Sequence, residues 1–114
     1  MVSVVIPSIN SNNARQALES VLRQEGIGAD EVIITGRNLE ELLSLQTETV
    51  RIINHGYWLN ASAARNLGAK SAKGEILLFL DDDCLAAKDW VESNVKALSE
   101  NQDIAAVLGR LIGK

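Results

Sequence analysis

Apolar residues in this chain fall into short unbroken runs, separated by stretches in which they recur every three or four positions. Val2-Ser3-Val4-Val5-Ile6, Glu31-Val32-Ile33-Ile34-Thr35, Val50-Arg51-Ile52-Ile53 and Ile76-Leu77-Leu78-Phe79-Leu80 are the runs. All four read as strands, the first buried and stopped by Pro7, and the fourth covered on both faces. Ala14, Ala17, Leu18, Val21 and Leu22 keep helical spacing behind the capping residues Ser11-Asn12-Asn13, and Glu25-Gly26-Ile27-Gly28 ends that helix. Leu39, Leu42 and Leu43 mark a short second helix. Asn54 to Trp58 reads as a loop, and Asn60 to about Lys73 as an Ala-rich helix with Ala63, Ala64, Leu67 and Ala72 inward. Trp90, Val91, Val95 and Leu98 indicate another helix, and Ile104 to Leu108 a final strand.

This alternation predicts an α/β fold: a Rossmann-like, open, mainly parallel sheet with helices on both faces. Right-handed crossovers put the first three strands in order 3-2-1, with the fourth on the far side of the first and the last strand beyond. The gap between strands one and four is then the switch point, where such sheets bind ligands at the strands' C-terminal ends. Pro7-Ser8 ends one of these strands, and Asp81-Asp82-Asp83 ends the other.

Composition narrows the function. The chain has 114 residues, 46% hydrophobic and 23% charged, which suits one folded domain. A net charge of -4 and the lack of a Lys/Arg run exclude a nucleic-acid surface. The longest apolar run is too short to span a membrane, and Met1 leads straight into a strand with no signal peptide. The single cysteine, Cys84, excludes an internal disulfide and fits a reducing compartment. The expected location is cytoplasmic, at most peripheral to the membrane in a parent protein. Asn60-Ala61-Ser62 matches a glycosylation sequon but reads as a helix cap.

Three adjacent carboxylates repel one another unless a cation or hydrogen-bond donor sits among them. Clustered oxygens suit a hard divalent ion, Mg²⁺ or Mn²⁺, which also serves phosphates. The plainer alternative is a solvated acidic turn with Asp83 capping the next helix. In an extended strand Asp81 and Asp83 point one way and Asp82 the other. Arg65, in a helix of otherwise small residues, is placed to clamp a diphosphate, to pair with the acids, or simply to face solvent. His55 and Cys84 read as structural, Cys84 as a small buried residue, and Trp58 and Trp90 as packing residues. Gly26-Ile27-Gly28 follows a helix, where a dinucleotide loop follows a strand.

Val4-Val5-Ile6-Pro7-Ser8-Ile9-Asn10, Ala17-Leu18-Glu19-Ser20-Val21-Leu22, Ala64-Arg65-Asn66-Leu67-Gly68, Ala72-Lys73-Gly74-Glu75 and Phe79-Leu80-Asp81-Asp82-Asp83 occur in that order. The ordered set, running on to Ala105-Ala106-Val107-Leu108-Gly109-Arg110, resembles the N-terminal, donor-binding half of a family 2 glycosyltransferase of the GT-A fold. The resemblance implies a single nucleotide-sugar-binding domain over residues 1–114, lacking the acceptor-binding half. It implies that Asp83 ligates the divalent metal, with Asp81 near the metal or ribose. Pro7, Ser8, Arg65 and Asp82 would border the nucleotide-diphospho-sugar.

Three departures accompany it. Thr35-Gly36-Arg37-Asn38 stands where the family usually carries an acidic turn that contacts the base. The spacing from Gly56 to Arg65 is long and predicts an added loop at Tyr57-Trp58-Leu59. The family's general base belongs to the acceptor half, so the catalytic residue is unknown and the fragment alone is expected to be inactive. An unpaired edge on strand four would favour a homo-oligomer or a moved last strand. Alternative readings are a non-catalytic nucleotide- or metal-binding or oligomerisation module. A nucleotidyltransferase would need a Gly- and Arg-rich loop where Ser8-Ile9-Asn10-Ser11-Asn12 stands.

Overall fold

The computed structural model describes residues 1–55 and 60–100. The elements are β1 (Val2–Ser8), α1 (Ser11–Leu22), β2 (Glu31–Gly36), a 3₁₀ helix (Glu40–Leu45), β3 (Val50–Asn54), α2 (Ala61–Ser71), β4 (Ile76–Phe79) and α3 (Trp90–Glu100). The sheet runs β3-β2-β1-β4, the order expected from right-handed crossovers. All three pairings are parallel, with Val4 opposite both Val32 and Leu78. The expected final strand at Ile104–Leu108 and the Tyr57-Trp58-Leu59 loop lie outside the described residues.

Alternate residues of the central strand serve two different layers. Val2, Val4 and Ile6 join Val32, Ile34, Val50, Ile52, Leu78 and Leu80 in one cluster with Ala14, Ala17, Leu18 and Val21 of α1. Leu39, Leu42 and Val91 close the same layer. Val5 and Thr35 face the other way, towards α2. A Cβ on Gly68 would lie 2.4 Å from Val5 Cγ1 and 3.1 Å from Thr35 Cγ2. Glycine thus lets α2 settle directly onto the sheet, and any side chain would force the layers apart.

Several local expectations are corrected. Pro7 does not stop β1, because it pairs with Thr35 and the strand continues to Ser8. The carbonyls of Met1 and Val5 accept from Ile76 and Leu80 of the β4 side. By alternation the missing Pro7 N–H faces that same side, past the end of β4, so no ladder bond is lost. The cap of α1 is Asn10, whose Oδ1 accepts from the N–H groups of Asn12 and Asn13 at 3.0 and 3.2 Å. The helix ends at Leu22, ahead of the glycines. Asn60 does cap α2, accepting from Ala63 N–H at 2.8 Å. Strand β4 is not covered on both faces: among the described residues it is an edge strand, as β3 is, and Phe79 is 44% exposed. Trp90 is half-buried and packs against the core, as expected.

At the strands' N-terminal end a polar cluster holds the α2–β4 connection. Glu31, almost fully buried, accepts from Ser3 Oγ at 2.7 Å and from Lys73 N–H at 2.6 Å. Gly74 N–H donates to the same Ser3 oxygen at 2.9 Å. Arg51 lies 3.4 Å from the second Glu31 oxygen and also donates to the Ser71 carbonyl. Burial pushes the Glu31 carboxyl up, but the Lys73 and Ser3 hydrogen bonds and the Arg51 charge outweigh it and hold it below the ordinary value. A carboxylate can be buried here because its oxygens are satisfied.

Candidate functional site

At the C-terminal ends of the strands β1 outruns β4, reaching Ser8 while β4 stops at Phe79. Strand pairing ends at Phe79, with Leu80 N–H still donating to the Val5 carbonyl at 3.0 Å. The chain then turns through Asp82-Asp83, closed by Cys84 N–H donating to the Asp81 carbonyl at 3.1 Å. Asp81 and Asp83 therefore converge because the backbone turns, not because a strand stays extended. One ligand atom from each of Asp81, Asp83 and Cys84 fits within a 4.8 Å span.

The three acids have different surroundings. Asp81 is exposed and takes a 2.6 Å salt bridge from Arg65 Nη2 through Oδ1. Of the readings open for Arg65, pairing with the acids is the one observed. Asp82 turns the other way and accepts from Ser8 Oγ at 2.6 Å, which ties the end of β1 to the acidic turn. The same Ser8 oxygen accepts from Asn10 N–H at 3.0 Å. Asp83 is exposed, with Cys84 Sγ 3.6 Å from its Oδ1. Cys84 is half-buried rather than buried, because its neighbour is the exposed turn. Asp83 does not cap the following helix: Ser93 N–H bonds to the Asp89 carbonyl, and α3 starts at Trp90.

Pro7, Ser8, Ile9, Asn60, Ala61, Ala64 and Asp82 line a groove of about 260 Å³ beside this turn. Sequence reasoning named Pro7, Ser8 and Asp82, and the structure brings them together; Arg65 meets Asp81 next to them. It missed Asn60, Ala61 and Ala64, which reach the groove because α2 begins there. The Asn60 cap, falling just before a helix that packs on β1, was the available signal. At the neighbouring strand end, a Cβ on Gly36 would stand 1.7 Å from the Ser8 carbonyl oxygen, so only glycine fits between β1 and β2. His55 N–H donates to the Gly36 carbonyl at 2.7 Å, a backbone contact consistent with a structural role.

The donor set fits a hard divalent cation: two exposed carboxylates converge on one turn, and one carries a cationic partner at only one oxygen. The family model for glycosyl transferase family 2 matches residues 3–114.

The chain belongs to glycosyltransferase family 2.

This family 2 domain is 40% identical over 108 residues to an uncharacterized glycosyltransferase of Rickettsia felis, covering 90% of the chain and 18% of the relative. It is 30% identical over 107 residues to an uncharacterized glycosyltransferase of Haemophilus influenzae, covering 91% and 36%. The chain thus spans well under half the length of these relatives. In structure it matches S. aureus TarS 1-349 in complex with UDP-GlcNAc with a TM-score of 0.73 and 21% identity, over 99% of this chain and 37% of that 1-349 chain. The fold is accordingly of the α/β GT-A type, with an open, mainly parallel sheet. Among the described residues no helix is long and apolar enough to cross a membrane.

Proposed function

We propose that this domain is the donor-binding half of a glycosyltransferase, taking a nucleotide-diphospho-sugar together with Mg²⁺ or Mn²⁺ at the crevice between β1 and β4. The observation that carries the reading is the convergence of Asp81 and Asp83 beside Arg65, at the mouth of the Pro7–Ser8–Asp82 groove. The match to TarS, which holds UDP-GlcNAc, supports it.

In this reading Asp83 is the principal cation ligand and Asp81 the second. The bound cation would neutralise the donor diphosphate and make it a better leaving group. Arg65, already at hydrogen-bond distance from Asp81, supplies a further positive charge towards the same diphosphate. Asp82 accepts hydrogen bonds from donor hydroxyls, held in direction by Ser8. Pro7, Ser8 and the first turn of α2 form the groove wall, and the helix N-terminus adds a favourable field for an anionic ligand. Transfer breaks the bond from the anomeric carbon to the diphosphate and forms one to an acceptor oxygen, whose proton goes to a base. That base is not assigned to any of the described residues.

The test is a thermal-shift titration with a panel of nucleoside diphosphates, with and without Mn²⁺. Mn²⁺-dependent stabilisation by at least one nucleotide, lost in Asp83→Ala, is the expected result. No response to any of them would leave an inert or oligomerisation module of the same fold.

A further inference from the structure

The backbone that follows the acidic turn is fastened to the C-terminal end of α1 and the residues just past it by two side chains, Ser20 in the helix and Gln24 beyond its cap. Ser20 Oγ accepts from Ala86 N–H at 2.9 Å while donating to its own helix at Ala17. Gln24 does more. Its Nε2 donates to the Ser20 carbonyl at 3.2 Å and the Ala87 carbonyl at 2.7 Å. Its Oε1 accepts from Val91 N–H, in the first turn of α3, at 2.8 Å. One carboxamide thus satisfies an orphan carbonyl at the end of α1, an orphan N–H at the start of α3 and a loop carbonyl between them. Glu25 N–H adds a 2.7 Å bond to the Lys88 carbonyl. On the other side of the turn, Leu80 is buried and held to Val5.

The turn bearing Asp81, Asp82 and Asp83 is therefore a short span fixed at both ends, at Leu80 by the sheet and at Ala86 by α1. We propose that Gln24, with Ser20, is a positioning residue for the cation site: it holds Asp81 and Asp83 at ligand spacing before any ligand arrives. The inference rests on the reading of Asp81 and Asp83 as cation ligands. Its physical content is entropic. A turn anchored at one end only must be ordered on binding, and that ordering cost is subtracted from affinity. Neither side chain touches the acids, so their effect runs through the backbone of residues 84–88.

The experiment is Mn²⁺ binding by calorimetry to the full chain and to Gln24→Ala, Ser20→Ala, Ser20→Thr and Asp83→Ala. Ser3→Ala serves as a control that loses two hydrogen bonds at the opposite end of the sheet. Gln24→Ala, which loses three hydrogen bonds, and Ser20→Ala, which loses two, should each weaken Mn²⁺ binding roughly 3- to 10-fold, the free-energy equivalent of about one net hydrogen bond. Ser20→Thr, which keeps the hydroxyl, should restore affinity. Ser3→Ala should lower the melting temperature and leave Mn²⁺ affinity unchanged, separating positioning from general stability. Wild-type binding that is lost in Asp83→Ala but unchanged in Gln24→Ala and Ser20→Ala overturns this inference alone. No Mn²⁺ binding by the wild type overturns it together with the cation site itself.

Discussion

The two ends of the sheet are built from the same parts and do opposite things. At the N-terminal end a serine donates to a carboxylate at 2.7 Å and an arginine flanks it, in Ser3, Glu31 and Arg51. At the C-terminal end Ser8 donates to Asp82 at 2.6 Å and Arg65 pairs with Asp81 at 2.6 Å. What differs is access and saturation. Glu31 is buried and its two oxygens already serve three donors, so it has nothing to offer a ligand. Asp81 and Asp83 are exposed on a turn and retain acceptor capacity. A carboxylate with satisfied partners supports a fold, and one with spare oxygens in a crevice can bind.

The comparison breaks most visibly at Glu31. Glu31→Ala removes the charge partner of Arg51 and leaves Ser3 and the Lys73 N–H without their acceptor. Breaking a buried pair usually costs 3–5 kcal/mol, and because Arg51 is about a third exposed a loss of about 3 kcal/mol is expected in urea unfolding. Acid should do the same more gradually. Because the folded carboxyl lies below its ordinary value, its contribution is fully present above the unfolded carboxylate pKa and is lost as pH falls through the folded one. Urea midpoints measured downwards from neutral pH should fall through the carboxylate range, with a shallower slope in Glu31→Gln. The site end should hardly register in stability. Asp83→Ala should change folding by less than about 0.5 kcal/mol, and Arg65→Ala by at most about 1 kcal/mol, since their charges are solvent-screened. Large destabilisation by either would show that the acidic turn is a structural staple like its counterpart.

The sheet was legible because each strand is a short, mostly apolar run and right-handed crossovers place the four in order 3-2-1-4. Asp81, Asp83 and Arg65 were legible because charges at the end of such a run, or in an alanine-rich helix, are conspicuous. Glu31 passed as the first residue of a strand, since nothing in its own neighbourhood shows that Ser3, Arg51 and Lys73 converge on it. Gln24 left no trace for the same reason: its partners Ala87 and Val91 lie more than sixty positions away. Side chain-to-backbone bonds of that span have no period. Pro7 misled through a local rule that its position past the end of β4 makes irrelevant, and the extended-strand picture of Asp81 to Asp83 failed because the chain turns there.

The direct test is a backbone NMR spectrum of the chain during addition of substoichiometric Mn²⁺, whose unpaired electrons broaden nearby resonances. The amides of Ser8 and Asp81 to Cys84 should broaden first, while those of Ser3, Glu31 and Lys73 to Glu75 stay sharp. Broadening centred instead on the Asp30, Glu31 and Glu75 end, or spread evenly over the exposed acids, would contradict the assignment of the binding end.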